Sequence, residues 1–428
     1  MAKKSVAPEL HVGQVDDEEL RIVLGSILPR CAQFRTQEVE YRTQNDDWAL
    51  SLHYRNGKIV DATAGPAMTS EIKSRMQEAI EREILSPSDK KIVRWTMFSG
   101  KPVEGQWRHG GGLRIVPAPV EAPRPEELMA EHPFIVDITF RGSSNFVIEQ
   151  MRYVRRAREL ALLFNLFLST RITSSTNSSR KHWVLVRQGS TVASTWANEG
   201  YFIPKFTYIV DDFPVDDSPP LAEVESNIYY STRSYAGDTL AIPAEFSRLL
   251  DIFSTLGADA RDRYMRACYW YHTAATVWDY SKSLYFTSLI NAIECVAGLD
   301  IDRSSQSGVS PDFRPSTLFK TFMQKFAPGE PSGAQLDRIY EARSEITHGE
   351  RLLVNDGVVA SWGLDQTSAK DRDISENARI LCRAALINWL WSSDSTSEGL
   401  LISAGVEVVK PPPPGTKSGV IVFVPDSQ

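Results

Sequence analysis

The stretch YEARSEITHGERL, residues 340–352, places Arg343 five residues ahead of His348 in a chain with only seven histidines. A guanidinium is a planar fork that matches phosphate oxygens, and an imidazole exchanges protons near neutral pH. Together they suit phosphate handling. On an ideal helix, five residues set two side chains about 140° apart. Arg343 and His348 therefore flank a stripe marked by Leu336, Ile339 and Ile346, with Tyr340 and Ala342 beside it. Ser344 stacks with His348, and Arg343 with Thr347, at i,i+4. The plainer alternative is that Arg343 pairs with a carboxylate and His348 closes the helix, followed by Gly349 as the left-handed residue.

A second residue bears on that choice. In SLYFTSLINAIECVAGL, Glu294 falls within the arc set by Phe286, Leu289, Ile290, Ile293 and Ala297. A carboxylate on an apolar arc is rarely left unpaired. It is expected either as a structural partner of Arg343 or as part of a catalytic cluster with it.

These residues need helices to hold them, and the chain supplies helices mainly in its second half. Residues 258–297 contain no Gly or Pro. One straight helix of that length would run roughly 60 Å, so a break near Asp279–Lys282 is expected. GAQLDRIYEARSEITH and SENARILCRAALINWLWSS follow as further helices, separated by long loops. Ahead of residue 243 the texture is mixed. DDEELRIVLGSIL and TSEIKSRMQEAIEREIL read as helices, and WALSLHYRNGKIVDAT reads as a hairpin around Asn56-Gly57. KKIVRWTMF, FIVDITFRG, HWVLVR and KFTYIV read as strands. Asn145 can cap a long helix over 145–169. The fold class expected is α+β, a mixed α/β region over 1–242 followed by an all-α bundle over 243–398. The Pro-rich stretch 116–127 is a candidate sub-boundary. A Pro-rich tail, 399–428, ends in the strand-like GVIVFVPD.

Composition narrows the class. The formal net charge is −7 over 428 residues, which argues against a uniformly basic surface. The four cysteines show no CxxC spacing, and two in apolar helices read as buried free thiols of a reducing compartment. With no apolar leader and no run of about 18 apolar residues, a cytoplasmic protein without membrane contact is expected. The histidines are dispersed and no HExxH occurs, so no metal or other cofactor is expected. HGGGL at His109 has the look of an esterase oxyanion loop, but GxSxG is absent and that class is rejected.

The helix YEARSEITHGE, with SLINAIECVAG before it and ARILCRAALINWLW after it, resembles the HEPN superfamily, in particular its ApeA-like branch. The family's mark is Arg, four to six residues, then His, and here four residues separate Arg343 from His348. Ser344 stands where the family has a polar residue after the Arg, and Gly349 follows the His. The resemblance covers residues 246–398. It implies a metal-independent endoribonuclease that leaves 2′,3′-cyclic phosphate ends. His348 would move the proton, Arg343 would stabilise the phosphorane charge, Glu294 would hold Arg343, and Ser344 and Thr347 would donate to phosphate. It also implies a homodimer that brings two motifs to one cleft, RNA as substrate, and a setting in anti-phage defence or toxin-like growth arrest with a phage or antitoxin partner. The N-terminal region would sense or recruit. The alternative is a non-catalytic nucleotide-binding or dimerisation module of the same superfamily.

A basic set on the long N-terminal-region helix, Arg152, Arg155 and Arg156, with Arg180 and Lys181 beyond it, reads either as a solvated face or as a guide for RNA. Trp270, Tyr271 and Trp278 are more aromatic area than one small bundle needs and point to a second copy as partner.

Overall fold

In the computed structural model, residues 5–35, 37–86, 89–122, 132–174, 183–188, 191–196, 206–231, 237–278, 280–299, 314–329, 331–353, 356 and 366–403 are described. The chain opens with helix α1 (Asp17–Ile27), whose first N–H groups are capped by the Asp16 carboxylate. An antiparallel meander follows, β1 (Arg30–Arg35), β2 (Glu38–Arg42), β3 (Trp48–Arg55) and β4 (Lys58–Ala64). The β3–β4 turn has Asn56 at φ 52° and Gly57 at φ 77°. Both residues of the turn are left-handed, as a tight hairpin requires. Helix α2 (Ser70–Ile80), extended by one wider turn over Glu81–Leu85, packs on α1. Leu20, Leu24, Leu50, Leu52, Met76 and Ile80, all fully buried, are the centre of a core private to this unit.

The second sheet is built on the pair β5 (Lys90–Ser99) and β8 (His132–Arg141), in register along their whole length. β7 (Leu113–Pro117) continues from β8, and β6 (Trp107–His109) from β7. The other edge of β5 is shared by β9 (Ile172–Ser174) and β12 (Tyr208–Val210). A separate hairpin joins β10 (Trp183–Gln188) to β11 (Thr191–Trp196), and β13 (Ala222–Val224) pairs in parallel with β14 (Ala241–Pro243). Helix α3 (Phe146–Phe167) lies on the sheet. Asn145 caps it, accepting from the N–H groups of Val147 and Ile148. Leu160, Leu163, Phe164 and Phe167 on its core side have no exposed surface.

After a short helix α4 (Ser226–Ser231) come α5 (Phe246–Thr255), α6 (Ala258–Val277), α7 (Lys282–Ala297), α8 (Pro315–Phe326), α9 (Gly333–Thr347) and α10 (Gln366–Trp391). The expected break between α6 and α7 is present, and Ser281 caps α7 through the Leu284 N–H. α7 is the central helix, in contact with α6, α8, α9 and α10. α8 occupies part of what reads as a long loop. Asn388, fully buried on α10, ties the Phe326 carbonyl at the end of α8 to both backbone groups of Ile402.

An α+β fold is therefore observed, with domains cut differently from the texture of the sequence. The change at residue 243 is one of secondary structure only, because a single buried cluster runs from Val93 to Ile402 through both the second sheet and the helices. Trp107 of β6, for example, packs on Phe246 of α5 at 4.6 Å between ring centres. The independent core belongs instead to the first 85 residues, joined by Ile148. Pro-rich 116–127 is no boundary at its start, since Val116 and Pro117 lie inside β7. The strand expected at GVIVFVPD lies outside the described residues. No described helix is long and apolar enough to cross a membrane.

Candidate active site

The site is set by where α9 docks on α7. Ser332 caps α9 by accepting from the Gln335 N–H, and Leu336, Ile339 and Ala342 bury one side of it. Burying that stripe turns Arg343 toward the last turn of α7. There Arg343 Nη2 donates to Glu294 Oε2 at 2.7 Å, with both side chains about three-quarters or more buried. Tyr340 donates its hydroxyl to the other carboxylate oxygen at 3.2 Å. Its ring lies against Phe319 and beneath the guanidinium, 5.7 Å from ring centre to Cζ. Burial, reinforced by the Glu294 charge, pushes the Tyr340 phenol up, so it remains an O–H donor at neutral pH. In the sequence, Tyr340 reads only as a neighbour of the apolar stripe. Its position three residues before Arg343, one helical turn, was the available signal.

Arg343 is thus held but not saturated. Its Nε is buried and has no acceptor among the described residues. The one side-chain hydrogen bond described for the guanidinium is the Nη2 bond to Glu294.

His348 is the C-cap of α9, and its imidazole is exposed. Its N–H bonds the Ser344 carbonyl at 2.9 Å. Gly349, at φ 78°, donates to the Ile346 carbonyl at 3.1 Å, and Glu350 donates to the Glu345 carbonyl at 2.9 Å. This paired pattern closes the helix with a left-handed glycine. Ser344 is half-buried one turn before His348. Thr347 is turned back on its own helix, donating to the Arg343 carbonyl at 2.8 Å, and so is not oriented for a ligand. Arg351, the next cation along the chain, is engaged by Glu345 and Asp371. Glu341, Glu345 and Glu350 surround the motif in sequence.

The basic set on α3 is a neutralised seam. All five N–H donors of Arg152 are engaged, by both oxygens of Glu19 and by the carbonyls of Arg141, Gly142 and Glu83. Arg155 bridges Asp16 and Glu18, and Arg156 pairs with Glu159, whose other oxygen holds Arg261. These residues join α3 to α1 and α6, with the side chains of Arg155 and Arg156 still 45% and 39% exposed. Arg180 and Lys181 lie outside the described residues. The aromatic surplus is also accounted for internally. Tyr271 is buried, Trp270 packs on the core, and Trp278 meets Tyr285 edge-on at 4.6 Å.

No family model, no curated protein and no solved structure matches this chain. The site must be read from its own geometry.

Proposed function

We propose that the chain is a metal-independent endoribonuclease acting at the C-terminal end of α9. The observation that carries this reading is the partly committed guanidinium of Arg343. Glu294 aims it through a single bond, while Nε has no protein acceptor and an exposed histidine closes the same helix. A purely structural pair would gain from saturating the guanidinium, as Arg152 does. In the proposed reaction a ribose 2′-OH attacks the adjacent phosphorus. His348 takes the hydroxyl proton, Arg343 stabilises the charge on the non-bridging oxygens, and the 5′-oxygen leaves and is protonated. The products are a 2′,3′-cyclic phosphate and a 5′-OH. In this reading Ser344, one turn before His348, donates to the same phosphate. The wide angle between Arg343 and His348, and the engagement of nearby Arg351 by Glu345 and Asp371, both favour two copies meeting over one RNA strand. The N-terminal unit then serves recognition, in a growth-arrest or defence setting.

The glutamates that flank the motif in sequence, Glu341, Glu345 and Glu350, favour a second reading, a non-catalytic dimerisation or nucleotide-binding module. The two separate when purified protein is incubated with total RNA in EDTA beside His348→Ala. Cleavage by the wild-type protein alone, with cyclic phosphate ends, is expected. Cleavage by both proteins, or activity that needs added Mg²⁺, would remove the proposed site.

A further inference from the structure

The two faces of the second sheet differ. Val93, Trp95 and Met97 of β5 belong to the core shared with α3. Alternate residues of a strand point to the opposite face. On that face four strands place one polar residue each on a single rung: Tyr208 of β12, Arg94 of β5, Asp137 of β8 and Arg114 of β7.

The rung holds two cations and one anion. Asp137, fully buried, accepts from Arg94 Nε at 2.9 Å through one oxygen and from Arg114 Nε at 2.8 Å through the other. Arg114 is also fully buried, and its Nη1 donates to the Pro214 carbonyl at 2.6 Å. Arg94 is less completely engaged. Its Nη1 reaches the Tyr208 hydroxyl at 3.4 Å, a long bond, and its Nη2 has no acceptor among the described residues. The Arg94 side chain is only 12% exposed. One carboxylate shared by two guanidiniums leaves an excess positive charge, and a charge so far removed from water is ordinarily paired.

Arg94 lines a cleft of about 430 Å³. Glu104 and Asp216 line the same cleft, and so do Val103, Val120 and Val215. Val103 is buried, whereas Val120 and Val215 are almost fully exposed, 89% and 90%. The Asp216 carboxylate accepts from the Ser218 N–H at 3.0 Å, which fixes it in place. Neither Asp216 nor Glu104 is ion-paired with Arg94, whose carboxylate partner is Asp137. Opposite charges that line one cleft without meeting can each gain a charge-assisted bond from a ligand placed between them. A simple anion would gain Arg94 but face two carboxylates, and a simple amine would face the reverse. A zwitterion satisfies both sides, and exposed valines give an apolar group a surface to cover. The volume is within the range of sites for single small molecules.

We infer that this cleft binds a free α-amino acid with an apolar side chain. Its carboxylate sits on Arg94, its ammonium group on Asp216 and Glu104, and its side chain on the valines. The inference stands apart from the ribonuclease reading, because it uses a different face of the molecule and none of the residues at the end of α9.

The test is titration calorimetry on the full chain with L-leucine and L-phenylalanine. Two kinds of analogue form separate arms. L-leucinamide and L-phenylalaninamide lack the carboxylate and also stand for a peptide N-terminus. 4-Methylpentanoate and 3-phenylpropanoate lack the ammonium group. At least one amino acid should bind about tenfold or more tighter than both of its analogues, the scale of one lost charge-assisted bond. In Arg94→Gln the amino acid should bind no tighter than its amide. In the double variant Glu104→Gln/Asp216→Asn it should bind no tighter than its deaminated acid. Near-ultraviolet circular dichroism confirms the fold of each variant. Should Arg94→Gln fail to fold, the double variant carries the measurement, since Glu104 is exposed and asparagine at 216 can still accept from the Ser218 N–H. Absence of binding by both amino acids, an analogue that binds as tightly as its amino acid, or discrimination unchanged in the folded variants would each overturn the assignment.

Discussion

Glu294 Oε2 and Arg343 Nη2 lie 2.7 Å apart and join the last turn of α7 to α9. The pair has two separable roles, and substitutions separate them. Arg343→Lys retains a cation for Glu294 but loses the planar fork. It should melt within a few degrees of wild type while RNA cleavage falls about a hundredfold, the scale of one lost preorganised donor. Arg343→Ala strands Glu294. Because both side chains keep about a fifth of their surface in water, the expected loss is about 2 kcal/mol, less than for a fully buried pair. Adding Glu294→Gln should restore melting but not cleavage. A double variant that cuts RNA at the wild-type rate takes Arg343 out of the active site.

Arg152 should behave in the opposite way, as a purely structural residue. Its partner Glu19 is 6% exposed, and the guanidinium has no donor left for a ligand. Arg152→Met alone should destabilise by about 3–5 kcal/mol, the range for stranding a buried charge. With Glu19→Gln added, much of that loss should return. RNA binding measured from low to high salt should have the same slope for the double variant as for wild type. A slope reduced by about one would mean that Arg152 does meet phosphate.

These two arginines show where sequence is informative and where it is not. Signals contained within a few residues were legible: the Asn56-Gly57 turn, the Asn145 cap, the break before Lys282, and Gly349 as a helix end. The Glu294–Arg343 pair was legible as one of two alternatives, because a carboxylate on an apolar arc demands a partner. The seam at Arg152 was not, since its partner Glu19 is 133 residues away and helical periodicity cannot tell water from an acidic helix. β7 was hidden for a related reason. Arg114 in its middle reads as polar but is fully buried on Asp137, itself shared with Arg94. α8 sits in what reads as a long loop, although Pro315 at its first turn and Phe319, Phe322, Met323 and Phe326 on one face are a local signal. The boundary at 243 failed because composition reports secondary structure, whereas a domain is defined by its core.

Asp356 gives a pH-dependent prediction at the start of α7. It accepts from the Ser281 hydroxyl at 2.7 Å and from the N–H groups of Lys282 at 2.8 Å and Ser283 at 2.7 Å. Burial alone would raise its carboxyl, but these bonds outweigh burial and hold it below the ordinary value of 3.8. A depressed carboxyl stabilises the fold above its unfolded pKa, and that contribution is lost as pH falls through the folded value. Asp356→Asn should therefore cost about 1 kcal/mol at pH 7, the scale of a helix cap. The difference from wild type should shrink below about pH 4. Melting curves from pH 7 to pH 2 measure it. A gap that stays constant across that range would show that the charge at Asp356 contributes nothing.

Gly349 offers the sharpest test of His348. Its φ of 78° lies in the left-handed region, and a Cβ placed there would meet no atom within 4 Å. Any cost of Gly349→Ala is therefore backbone strain, about 1 kcal/mol, with no clash added. Gly349→Asn should cost less, because asparagine tolerates that conformation. If His348 exchanges a proton with RNA, its imidazole must keep the position that the C-cap fixes. Relaxing the strain in Gly349→Ala would rotate or fray that cap while the rest of the fold stays intact at 25 °C. Cleavage should then drop tenfold or more in Gly349→Ala and stay near wild type in Gly349→Asn, against small melting shifts in both. If α9 is only a scaffold, the two variants should show the same small melting shifts, and any RNA cleavage in the preparation should be equal in both. Equal cleavage in two folded variants would remove His348 from the mechanism.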